Sequence, residues 1–209
     1  MSEKINFIHI PKNAGFSFAA LAKAFPERFQ YHFHNVDVDD PLIKNQFIML
    51  QHPVSRFKSA VRYFSVYKPT INSTFLLENN INTPNKWVDV LRDPNHECYH
   101  SLIKEIKNEN HYIGPTILER KYTYSQQILW VRDPKFVLIK DNLDEELKYM
   151  LDLLGIEFKL PLTHNTKKTP ENDYISDTNS AWLLEHFYKE DYVLYTKYKN
   201  MPVQERIKL

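Results

Sequence analysis

The sequence predicts an α/β fold with three layers, in which helices cover both faces of a mainly parallel central sheet. Short apolar runs alternate along the chain with longer segments whose apolar residues recur at helical spacing. The apolar runs are continuous, which is typical of parallel strands buried on both faces. The 209 residues are enough to bury a substantial core, and we expect a single domain over residues 1–209.

The first part of the chain predicts three strands and two helices. INFIHI is a short β-branched apolar run that ends at a proline, as a buried strand would. SFAALAKAF has helical composition and a proline just after its end. FQYHFHNV is rich in aromatic residues and NQFIML is continuously apolar, so both are interpreted as strands. PVSRFKSAVRYFSVY opens with proline, which is favoured at the first helical position.

The middle of the chain carries weaker signals. Residues 68 to 85 are rich in Asn, Thr and Pro and predict a loop. Residues 86 to 125 predict one or two helices joined by irregular chain. KFVLIK is a further apolar run and predicts another buried strand.

The last part of the chain predicts helices on either side of a polar loop. NLDEELKYMLDLLG places its apolar side chains along one helical face, and Gly155 is expected to form its C-cap. LPLTHNTKKTPEND predicts the loop. SDTNSAWLLEHFYKEDYVLYTKY predicts a closing helix, or two helices in succession.

Charge and composition favour a cytoplasmic protein with a local anion site. The formal net charge is +1, which offers no overall attraction for nucleic acid or a membrane surface. Cys98 is the only cysteine, so no internal disulfide can form. The first residues do not resemble a signal peptide, and no apolar run is long enough to span a bilayer. We therefore expect neither a nucleic-acid partner nor a membrane partner.

The stretch FIHIPKNAGFSF, residues 7 to 18, predicts a strand, a tight turn and a helix. Backbone N–H groups at such a helix N-terminus point at an anion, and Lys12, Gly15 and Ser17 suit a phosphate. An ordinary strand–turn–helix with a solvated lysine explains this stretch alone equally well. In the ATPase pattern G-x-x-x-x-G-K-[ST] the lysine follows two glycines. In this stretch Lys12 precedes Gly15, which is the one glycine of residues 7 to 18. This order disfavours a metal-dependent ATPase or kinase.

A second strand–turn–helix stretch makes the phosphate-binding interpretation of the first more specific. FIMLQHPVSRFKSAVRYF places Pro53, Arg56 and Ser59 at fixed offsets behind a buried strand. The turns LRDP and VRDP, at residues 91 to 94 and 131 to 134, lack that spacing. We interpret them as ordinary turns or salt-bridge sites.

Together the two stretches resemble the sulfotransferases that use 3′-phosphoadenosine 5′-phosphosulfate (PAPS). PKNAGFS is similar to the pattern P-K-T-x-G-T-S of that family, and QHPVSRFKS is similar to R-x-P-x-x-R-x-x-S. The most similar group is the carbohydrate sulfotransferases that include heparan sulfate 2-O-sulfotransferase. Between the motifs, YHFH resembles the segment with that group's catalytic histidine. LPLTHNTKKT resembles its late nucleotide-binding loop, and FYKEDYVLYTKY its C-terminal ending.

The resemblance implies a P-loop-like domain and a role for each matching residue. Lys12 would neutralise the leaving 5′-phosphate, and Ser59 would hold the 3′-phosphate. His32 and His34 are candidates for the base, because neutral imidazole suits proton removal from a hydroxyl. The competing interpretation of His32 and of His34 is a structural histidine that is hydrogen-bonded to a neighbouring residue. The nucleotide-binding residues implied in this way are Lys12, Asn13, Ala14, Gly15, Phe16, Ser17, Gln51, Ser59, Thr166 and Lys168.

Two positions depart from the family pattern. Phe16 replaces a threonine, which removes a hydroxyl from the 5′-phosphate site. Gln51 replaces an arginine, which removes a full charge from the 3′-phosphate site. Arg56, Lys58 and Arg62 are candidates to supply that charge, and packing or pairing on their own helix is the alternative for the two arginines. Gln51→Arg is expected to tighten binding of the product nucleotide, adenosine 3′,5′-bisphosphate (PAP), by about tenfold.

The sequence therefore favours a cytoplasmic PAPS-dependent sulfotransferase that requires no metal. PAPS is the expected donor, PAP the product, and a carbohydrate one candidate acceptor. A catalytically silent relative that binds a nucleotide or a partner is the second interpretation, supported by Gln51 and Phe16. A nucleotide or sugar kinase is the third, and the motif order disfavours it.

Overall fold

A computed structural model describes residues 3–33, 36–66, 71–106, 126–159 and 170–208. Residue contacts group the chain into two compact units. The first unit comprises Met1–His52, Gln126–His164 and Glu190–Leu209, and the second comprises Pro53–Ser125 and Asn165–Lys189. The expectation of a single domain stays a prediction.

A parallel sheet forms the centre of the first unit. Its strands are β1 (Ile5–Ile8), β2 (Phe29–His32), β3 (Gln46–Leu50) and β4 (Pro134–Ile139). They lie in the order β2-β1-β3-β4, and each neighbouring pair is parallel. The predicted α/β class with a parallel sheet is confirmed. The second strand is shorter than predicted, because β2 ends at His32 whereas the segment FQYHFHNV continues to residue 36.

Successive apolar side chains along each strand point to opposite faces of this sheet, as strand geometry requires. The helices of the first unit are α1 (Gly15–Ala24), α6 (Leu143–Leu153), α9 (Lys189–Lys199) and α10 (Val203–Arg206). Phe7 and Phe47 pack on the face that Phe18 of α1 and Leu147 of α6 cover. Ile8 and Ile48 pack on the other face, which Trp130 and Tyr195 cover. Both faces are therefore buried, in agreement with the continuous apolar runs.

Helices form the second unit. They are α2 (Pro53–Val66), α3 (Ile71–Glu78), α4 (Pro84–Arg92), α5 (Tyr99–Ile106), α7 (Pro170–Asp173) and α8 (Asp177–His186). The prediction of a loop over residues 68 to 85 is wrong where α3 lies. Leu76 of this helix is buried in a core with Trp87 and Leu183, so tertiary packing overrides the Asn- and Thr-rich composition.

Glycine ends α6 as predicted. Gly155 has φ +64°, and its N–H donates to the carbonyl of Asp152 while the N–H of Ile156 donates to that of Leu151. These two bonds form a Schellman motif, in which glycine carries the left-handed conformation.

The turns LRDP and VRDP have ordinary structural roles. The VRDP turn leads into β4, and Arg132 forms an exposed ion pair with Asp39 at 2.5 Å. The LRDP turn follows the end of α4 at Arg92. Within the described ranges, no helix combines the length and the apolar character needed to cross a bilayer.

Candidate functional site

The turn between β1 and α1 is built from residues in the left-handed region. Lys12 has φ 69° and Ala14 has φ 53°, although neither is glycine. Ala14 is the N-cap of α1, and its side chain makes no capping hydrogen bond. Non-glycine residues with such angles carry backbone strain, which concentrates at functional sites. Gly15, by contrast, lies inside α1 and outside the left-handed region.

Because Ala14 is strained, Ala14→Gly should stabilise the protein by about 1 kcal/mol. Ala20→Gly is the matched control within α1, since glycine in a helix interior costs about 1 kcal/mol. Urea unfolding of both variants gives the two changes in the free energy of unfolding. Equal destabilisation by both substitutions would show that Ala14 is not strained.

Gly15 is required by the side chain of His9 rather than by its own backbone. A Cβ atom at position 15 would lie 2.0 Å from Cδ2 and Nε2 of His9. The His9 ring is buried, and its Nδ1 lies 2.6 Å from the hydroxyl of Tyr31. Burial raises the pKa of Tyr31, so the phenol stays protonated and the two groups share a hydrogen bond. The ring therefore has little freedom to move away from a methyl group.

We expect Gly15→Ala to destabilise the protein by about 1–3 kcal/mol, the usual cost of overpacking. His9→Ala removes the clashing ring, so the double variant should be less destabilised than the sum of the two single variants. Denaturant unfolding of the four proteins measures this coupling. Strict additivity would mean that the His9 ring does not restrict position 15.

A buried amide network joins the first turn to the end of β3. Asn13 donates to the carbonyl of Met49 and to Oε1 of Gln127, both at 2.7 Å. Gln127 also accepts from the N–H of Gln51 at 3.1 Å and donates to its carbonyl at 2.8 Å. Asn13 and Gln127 are almost fully buried, so these bonds fix the backbone on both sides of the turn.

Lys140 places a positive charge beside Gln51. Its ammonium donates to the carbonyl of Lys12 at 2.9 Å and to Oε1 of Gln51 at 3.0 Å. The contact follows from strand register, because Leu50 pairs with Ile139 at the ends of β3 and β4, and Gln51 and Lys140 are the residues that follow. Lys140 therefore links the turn after β1 to the end of β3 and brings the charge that Gln51 lacks.

The three cations suggested for that role have partners within the second unit. Lys58 and Arg62 both form ion pairs with Asp173. The buried Arg56 guanidinium lies 5.6 Å from the ring centroid of Tyr188. Both arginines therefore have partners, although these lie outside α2, on α7 and just after α8.

His32 lies on the edge strand β2, and its tautomer follows from its neighbour. Its Nε2 lies 2.8 Å from Oδ1 of Asn6, while the Asn6 amide nitrogen donates to the carbonyls of Lys4 and Lys44. Oδ1 of Asn6 therefore accepts, so Nε2 of His32 carries the proton and Nδ1 is the basic nitrogen. Burial lowers the pKa of His32, and the charge of Asp40 opposes that shift. Near neutral pH the imidazole is neutral, as a base must be.

The predicted site residues divide into three groups. Lys12, Asn13 and the backbone of residues 14 to 17 form the first turn, and Gln51 meets this turn through Lys140 and Gln127. Ser59 is half-buried in α2 of the second unit. His34, Thr166, Lys168 and the side chain of Phe16 lie outside what the structure describes.

Sequence reasoning missed His9, Gln127 and Lys140. The two polar residues in the segment QQILW have no spacing that indicates a site, and Lys140 ends a strand like many surface lysines. The signal in the sequence was positional, since Lys140 follows directly on a predicted parallel strand. Side chains at that end of a parallel sheet often meet a ligand.

The chain was compared with protein families, with curated proteins and with solved structures. No protein-family model, no curated protein and no solved structure matches this chain.

Proposed function

We propose that the protein is a PAPS-dependent sulfotransferase, which moves a sulfuryl group from PAPS to a hydroxyl or amine of an acceptor. One observation carries the proposal. The two turns that bear the sulfotransferase-like motifs follow β1 and β3, which are neighbouring parallel strands, and Lys140 bonds to both turns. Ligands of open parallel sheets bind beyond the carboxyl ends of the strands, where these turns lie.

The donor would bind through the first turn and through Lys140. The N-terminal N–H groups of α1 suit the 5′-phosphosulfate, and the Lys12 ammonium suits the leaving phosphate. Gln51 occupies the position of the family's arginine, and Lys140 supplies a charge at that place. We therefore assign Gln51 and Lys140 to the 3′-phosphate.

The chemistry is an in-line transfer. The acceptor oxygen bonds to sulfur, the bond from sulfur to the bridging oxygen breaks with its electron pair, and PAP leaves. The acceptor proton passes to a base, for which the neutral His32 and His34 are the candidates from the sequence. A lysine beside the leaving phosphate stabilises the charge that develops there. A cytoplasmic location and a carbohydrate acceptor belong to the same proposal.

The direct test is the release of PAP from PAPS in the presence of a panel of acceptors, desulfated glycosaminoglycan among them. A sulfotransferase releases PAP in step with sulfation of one acceptor. Binding of PAP without turnover of PAPS on any acceptor would instead support the catalytically silent relative.

A further inference from the structure

His52 and Asp141 lie next to the Gln51 and Lys140 pair. Leu50 of β3 pairs with Ile139 of β4, and each is the last residue of its strand. His52 comes two residues after Leu50, and Asp141 comes two residues after Ile139, in a short 3₁₀ helix (Lys140–Asn142). His52 lies on the side of Tyr195, because the two rings are in contact. His52 and Asp141 are thus the immediate chain neighbours of Gln51 and Lys140, which we assign to the nucleotide site.

Two tyrosines of α9 hold the His52 ring. The ring centroids of Tyr192 and Tyr195 lie 5.6 and 5.3 Å from that of His52, at angles of 71° and 80°. The Tyr195 hydroxyl donates to the Asp141 carboxylate. His52 is half-buried, and neither of its ring nitrogens makes a hydrogen bond within the described ranges. A partly enclosed imidazole whose nitrogens have no protein partner is suited to bind a ligand proton.

The surroundings keep this imidazole neutral. Burial lowers the pKa of His52, and the negative charge of Asp141 opposes the shift. Burial and the bond to Asp141 raise the pKa of Tyr195, so the phenol remains a donor. Within the described ranges, the titratable groups that face His52 are Asp141, just after β4, and Tyr192 and Tyr195 of α9.

We propose that His52 is a catalytic residue that takes the proton of the acceptor. Asp141 is a positioning residue that acts through Tyr195, which bonds to Asp141 and packs on the His52 ring. This inference rests on the proposed sulfotransferase function. The acceptor O–H bond breaks and its proton goes to a ring nitrogen of His52. The oxygen then bonds to sulfur, the bond from sulfur to the bridging oxygen breaks, and PAP leaves with that electron pair. In this assignment His52 takes the role of base for which the sequence suggested His32 and His34.

The test compares His52→Gln with the wild type over a range of pH. Loss of a general base should lower kcat by about 100-fold or more, while calorimetry should show unchanged PAP affinity and thus a folded donor site. His100→Gln, an exposed histidine of the second unit, is the matched control and should keep wild-type kcat.

The pH profile separates a base from a structural residue. The neutral form is active, so wild-type kcat should rise through the lowered pKa of His52 and then level off. Asp141→Asn removes the charge that opposes the shift, so the rise should move to lower pH. His32→Gln should retain the rise. Turnover of PAPS by the wild type together with an unchanged profile in His52→Gln would overturn this inference alone. Absence of turnover in the wild type would overturn the proposed function and this inference with it.

Discussion

Replacing Lys12 with alanine should lower kcat for sulfuryl transfer by about 100- to 1000-fold, the effect of losing one group that stabilises developing charge. The Lys12 carbonyl accepts from Lys140, and this backbone contact survives the substitution. The turn should therefore keep its shape, and PAP affinity should change far less than kcat.

Lys23→Ala is the matched control for this variant. Lys23 is exposed in the last turn of α1, so its removal should leave kcat unchanged. Single-turnover kinetics with PAPS separates the chemical step from product release. Near wild-type transfer by Lys12→Ala would remove this lysine from the mechanism.

Lys140→Met should weaken PAP binding by about tenfold, because a charged hydrogen bond to phosphate contributes roughly 1.5–3 kcal/mol. The affinity for adenosine 5′-phosphate (AMP) should fall less, since Lys140 is assigned to the 3′-phosphate. Lys140→Arg preserves the charge and should retain most of the affinity. Equal PAP affinity in Lys140→Met and the wild type would contradict this assignment.

The contact between Lys140 and Gln51 changes the expectation for Gln51→Arg. In the wild type the new arginine would face the Lys140 ammonium and remove its acceptor, so tighter PAP binding is not expected. In Lys140→Met the same arginine meets no competing ammonium and should restore the affinity. A double-mutant cycle on PAP binding measures this coupling.

The sequence predicted the sheet because parallel strands leave a clear pattern. Their continuous apolar runs and the prolines and glycine near their ends mark β1, β3 and β4 within a few residues. The helix α3 was missed because its Asn and Thr residues favour a loop, whereas burial of Leu76 in the tertiary core stabilises the helix.

The candidate site was predicted only in part, because several of its contacts depend on how the strands pair in the sheet. Lys12 and the first turn are local in sequence and were identified from their motif. Lys140 is 89 positions from Gln51, and Gln127 is 76 positions from it, so neither contact can be seen without the pairing of the strands. The packing of His9 against Gly15 is equally hidden, since nothing in the spacing of these two residues indicates that the ring fills the place of a Cβ atom at position 15.

The account's central claim is that the turns after β1 and β3 form one nucleotide site that distinguishes a 3′-phosphate. Calorimetric titration of the wild-type protein with PAP, with AMP, and with ATP and magnesium tests this claim most directly. We expect PAP to bind at least about tenfold more tightly than AMP, a difference of about 1.4 kcal/mol, and more tightly than ATP with magnesium. Equal affinity for PAP and AMP, or tighter binding of ATP with magnesium, would contradict the claim.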